Sequence, residues 1–124
     1  MPDQYYCKIV DWLDGDTALI DVLVPVFEAV WTVPTHARIY GINTPEVHTK
    51  DANEKVRGLA AKEYAASIAP FAAVVTIRKP KAGWRDKFGR LLVTLTCESG
   101  KDFAAAMIEA KHALPWDGSG KKPI

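Results

Sequence analysis

The chain has 124 residues, of which 48% are hydrophobic and 25% charged, with a formal net charge of +1. That length and balance fit one globular domain with a real core, and exclude a disordered or collagen-like chain. No stretch approaches the roughly 20 apolar residues of a membrane span, and residues 1–15 lack the basic start and apolar core of a signal peptide, so a cytoplasmic protein, or one whose signal has been removed, with no membrane partner is expected.

Residues 4–12 are rich in aromatic and β-branched types and read as a first strand. Asp14-Gly15-Asp16 is turn chemistry, and Thr17–Val26 reads as a second strand with Ala18, Ile20, Val22 and Val24 on one face. Pro25 and Pro34 suggest a long, punctuated connection to a third strand at about Thr35–Ile42, which Pro45 brings to an end. The alanine-rich stretch 54–69 reads as a helix, capped by Asn53 and stopped by Pro70, with Val56, Leu59, Ala60, Tyr64 and Ile68 as its apolar side. Gly58 inside it costs about 1 kcal/mol against alanine, which points to close packing there. Ala72–Lys79 and Leu91–Cys97 read as the last two strands, joined by a basic loop. Asp102 caps a second helix over 102–113, and Pro115–Ile124 reads as a loosely held tail after a domain spanning 1–114. Cys7 and Cys97 fall in strands with no metal-ligand spacing and read as buried thiols. Three strands, a helix, two strands and a helix is the order of an OB-fold: a mainly β protein with helices (α+β), built as a five-stranded β-barrel with two helices.

Charge is segregated along the chain. Asp11, Asp14, Asp16 and Asp21 lie together without a base, whereas Arg78, Lys79, Lys81, Arg85, Lys87 and Arg90 share one segment with the single acid Asp86. Acids that hold a cation beside bases that hold a polyanion suit phosphodiester cleavage. Asp16 offers a charged oxygen, Asn43 an amide oxygen and Thr44 a carbonyl, the donor types a hard divalent cation takes. Zinc is disfavoured, since His36, His48 and His112 share no ligand spacing. Glu46 suits a general base, and Arg38 and Arg90 suit the charge that grows on phosphorus. Singly each is ordinary: the turn is no EF-hand, because Pro25 stands where its bidentate glutamate is required.

Together these segments carry a resemblance. Asp14-Gly15-Asp16-Thr17, Arg38 through Glu46, Gly58-Leu59-Ala60 and Asp86-Lys87-Phe88-Gly89-Arg90 resemble, in order, four motifs of the staphylococcal nuclease family, over about residues 4–114. The resemblance implies an OB-type barrel that hydrolyses DNA or RNA with calcium as cofactor. By position, Asp16, Asn43 and Thr44 then correspond to metal ligands with Asp14 supporting them, Arg38, Glu46 and Arg90 to catalytic residues, and Lys87 and Phe88 to substrate contacts. The segment 47–58 and the Pro-Trp-Asp-Gly-Ser-Gly ending look most like phage or prophage members. Three positions depart from the pattern: Asn43 replaces an aspartate, Phe88 a tyrosine and Lys111 a glycine. Asn43 removes one negative charge from the cation site, so two functions are carried forward: an active nuclease, and a barrel that grips single strands with little turnover.

Overall fold

The computed structural model describes residues 4–77, 89–116 and 122–123. Its strands are β1 (Gln4–Asp14), β2 (Thr17–Val26), β3 (Ala29–Ile39), β4 (Ile42–Asn43), β5 (Ala72–Ile77), β6 (Leu91–Cys97) and β7 (Leu114–Pro115); its helices are α1 (Ala52–Ile68) and α2 (Phe103–Glu109). A closed barrel runs β1-β2-β3-β6-β5, with β5 returning to β1, and β4 pairs with β7 as a small second sheet. Every barrel pairing is antiparallel except β3 with β6. This is the expected α+β, OB-like barrel with two helices.

Alternation places Ala18, Ile20 and Val22 of β2 and Val75, Val93 and Leu95 of β5 and β6 in the interior. The barrel's end is closed by Trp12 stacked on Phe103 of α2, with ring centroids 4.7 Å apart, and the Trp12 indole donates to the carbonyl of Ala69 at 3.0 Å. One aromatic thereby fixes the ends of both helices to the barrel.

Four expectations are corrected. The connection between β2 and β3 is a tight hairpin, not a long loop: Val26 pairs with Ala29, and both prolines lie within strands. Pairing of β1 with β2 stops at Leu23 and that of β3 with β6 covers only Ala37–Ile39, so that among the described residues Pro25 and Pro34 sit where a strand has one neighbour and needs no second donor. The cap of α1 is Asp51, not Asn53; its carboxylate accepts from the backbone of Asn53 and Glu54. Finally, α1 buries Gly58, Ala61 and Ala65; of the expected apolar side, Tyr64 and Ile68 pack partly buried against the core, while Val56 and Leu59 face outward. Small side chains let the helix axis approach the barrel closely at the buried positions. The second helix is also shorter than expected, ending at Glu109, after which Lys111 adopts φ 65° and the amides of Lys111 and His112 bond the carbonyls of Ile108 and Met107.

Candidate phosphodiester site

The turn between β1 and β2 begins the site. Gly15 lies against Ala61, Met107 and Thr44, at distances where a Cβ would come within 3.0–3.1 Å of each side chain. The absent side chain seats the turn beneath both helices and brings Asp16 to Thr44. One carboxylate oxygen of Asp16 accepts from the Thr44 amide at 3.0 Å and the other from the Thr17 hydroxyl at 3.0 Å. The Asp16 carbonyl also accepts from the amide of Ile39, which ties the turn to the end of β3.

Arg38 enters from β3 and is buried. Its guanidinium donates to the carbonyls of Ile39 and Ile42 and pairs with Asp16 at 3.5 Å, while its carbon Cζ lies 5.9 Å from the centre of the Trp116 ring. Arg90, just before β6, reaches the same cluster: it donates to the Thr17 hydroxyl at 3.3 Å. Thr17 therefore links Arg90 to Asp16. It is a connection the sequence reading missed, although the threonine stands in the same four-residue motif.

Glu46 lies at the open edge of this cluster. Its backbone amide donates to Glu54, whose other oxygen accepts from Thr49, so the first turn of α1 holds the segment that presents it. Asp51 and Glu54 have capping-box spacing, which was the available signal for this anchor. The Glu46 carboxylate itself pairs with Lys122 at 3.3 Å, both side chains being half exposed. Asp14 supports the same segment by accepting from the Val47 amide at 2.9 Å. Burial pushes the Asp14 carboxyl above its ordinary value; the Val47 bond opposes this, and the charges of Asp16 and Glu46 add to it. Asp11 of the acidic run is exposed on β1 and takes no part. Lys87 and Phe88 lie outside the described residues.

Asn43 and Thr44 are both buried, and among the described residues the Asn43 amide nitrogen and Thr44 hydroxyl have no hydrogen-bond partner. Turning the Asn43 amide exchanges its nitrogen for an oxygen without change of shape. Among the described residues no three of His, Cys, Asp and Glu gather as a chelating group. The donors here are one carboxylate with neutral oxygens, which fit a hard cation held with little charge.

A closed five-stranded barrel with two helices, whose buried Asp16 is joined to Arg38 and through Thr17 to Arg90, defines the class of small OB-like α+β proteins. The sequence profile of the staphylococcal nuclease homologues matches residues 36–116, about two thirds of the chain, and the protein belongs to that family. No curated protein matches the chain. The matched segment contains Arg38, Asn43, Thr44, Glu46 and Arg90; Asp16 precedes it, and is tied to it by the bonds to Thr44 and Arg38. No described helix is long and apolar enough to cross a membrane.

Proposed function

We propose that the protein is a calcium-assisted endonuclease that hydrolyses DNA or RNA with little sequence preference. The observation that carries this reading is the linked set Asp16–Thr17–Arg90 and Asp16–Arg38, with Glu46 on the adjoining rim. Glu46 is exposed and so can reach a water; it takes the water's proton as the oxygen attacks phosphorus and the bond to the leaving oxygen breaks. The leaving oxygen is protonated by solvent. Arg90, partly open to solvent, meets the charge on the phosphate oxygens, and Arg38 sets a fixed positive charge behind them. Asp16, Asn43 and the Thr44 carbonyl would hold a cation, which when bound supplies further positive charge to the phosphate.

Asn43 favours a second reading, in which the barrel grips nucleic acid with little turnover, because Asp16 is already neutralised by Arg38. Labelled single-stranded DNA, incubated with calcium, magnesium or chelator, separates the two. Metal-dependent cleavage that disappears in Glu46→Gln supports the nuclease. Tight binding without metal-dependent cleavage leaves the binding module.

A further inference from the structure

A groove of about 380 Å³ opens beside the cluster, between α1, the end of α2 and the β4–β7 sheet. Its lining includes the apolar Pro45, Ala60 and Leu114 together with Arg57, Lys111 and His112. Among the described residues its lining holds no acid. Arg57 and Ala60 are one helical turn apart and so share the face of α1 that meets the groove. The His112 ring is held against Tyr64, with centroids 4.9 Å apart. Lys111 is the informative residue. It adopts a left-handed backbone at φ 65°, unfavourable for any side chain with a Cβ, and nevertheless presents an exposed ammonium at the groove's lip.

The groove is continuous with the proposed reaction centre. Asn43 and Pro45 line it, and Thr44 between them donates its amide to Asp16. A strand lying across the cluster therefore leaves it beside Pro45. Two cations in a lining that, among the described residues, holds no acid suit a polyanion, and the apolar lining residues beside them suit the face of a base.

We propose that this groove binds the nucleotide flanking the cleaved one, with its phosphate between Arg57 and Lys111 and its base against Pro45, Ala60 and Leu114. The assignment rests on the nuclease reading and extends its substrate track by one nucleotide.

The test compares Lys111→Gly and Arg57→Ala with Lys101→Ala, an exposed lysine at the opposite end of α2. Lys111→Gly removes the charge and relieves the left-handed strain, so a folding defect does not confound it. Binding of a fluorescent single-stranded octanucleotide is measured by anisotropy across a salt series, and its cleavage is measured alongside. The groove variants should weaken octanucleotide binding several-fold and lower the slope of log affinity against log salt by about 0.7 for each lost phosphate contact. Lys101→Ala should match the parent. If both groove variants bind the octanucleotide with parental affinity and slope while the parent cleaves it, the groove is not on the substrate path and the nuclease reading stands. Equal weakening by Lys101→Ala also overturns the proposal, because the effect is then diffuse charge. A parent protein that neither binds nor cleaves the strand removes the nuclease reading and the groove assignment together.

Discussion

The guanidinium of Arg38 lies 3.5 Å from the Asp16 carboxylate, and each side chain is only 9% exposed. The pair thus has a structural duty in addition to any catalytic one. Removing one member of a buried pair strands the other charge, which costs about 3–5 kcal/mol. Arg38→Ala should therefore lower the urea midpoint markedly as well as turnover, so that lost cleavage by itself does not assign Arg38 a chemical role. Arg38→Lys retains the charge but lacks the fork that reaches the Ile39 and Ile42 carbonyls, and should lose less stability than the alanine variant. An alanine variant as stable as the parent would show that the pair contributes nothing to folding.

Asn43 supplies the second prediction. Asn43→Asp places another carboxylate in a buried cluster that already holds Asp16, so without a cation the thermal midpoint should fall. Calcium should reverse the order, since the added charge strengthens its binding. At a calcium concentration 100 times the dissociation constant, the expected stabilisation is about 2.7 kcal/mol. Calorimetry reads the affinity directly. No gain in calcium affinity would take residue 43 out of the ligand set.

The third prediction concerns pH and lies far from the site. Burial pushes the Cys7 thiol up from 9.0 to about 11, offset in part by a backbone bond at Ala73. The unfolded chain releases this proton first as pH rises. The contribution to stability is accordingly complete below about pH 9 and is lost as pH climbs towards 11, by roughly 2–3 kcal/mol. Cys7→Ala lacks that term, so urea midpoints of parent and variant should converge between pH 8 and 10.5. A constant gap would mean that Cys7 does not titrate differently in the folded state. Cys97, whose thiol is also raised by burial, is common to both proteins and cancels from the comparison.

The site was more legible in the sequence than the packing around it. Asp16, Arg38, Asn43, Thr44 and Arg90 sit in short motifs at strand ends, where residue type and spacing carry the chemistry, and the barrel brings these five together. Alternation along β2 likewise identified Ala18, Ile20 and Val22 as interior. The buried side of α1 was misread because its signal is small size: Ala61 and Ala65 carry little hydrophobicity, whereas the exposed Val56 and Leu59 carry more. The hairpin was misread because proline breaks a ladder only where a second neighbour needs the missing donor. Lys122, 76 residues from Glu46 in sequence, left no local signal of their pairing.

Gly58 connects that packing to the proposed chemistry. A Cβ there would overlap the carbonyl of Glu46 and come within 2.9 Å of the Val47 nitrogen, and both obstacles are backbone. At an ordinary helical position Gly→Ala gains about 1 kcal/mol. At Gly58 the clash should outweigh that gain and give a net loss of about 1–3 kcal/mol. Relief requires α1 to retreat or the segment carrying Glu46 to shift, and Glu46 is placed by its amide bond to Glu54 on that same helix. Gly58→Ala should therefore lower kcat at temperatures where the variant remains folded, because the proposed base moves with the segment that carries it. Circular dichroism establishes the folded window, and initial rates within it decide. Parental kcat in a measurably destabilised Gly58→Ala protein would mean that the position of Glu46 does not limit turnover.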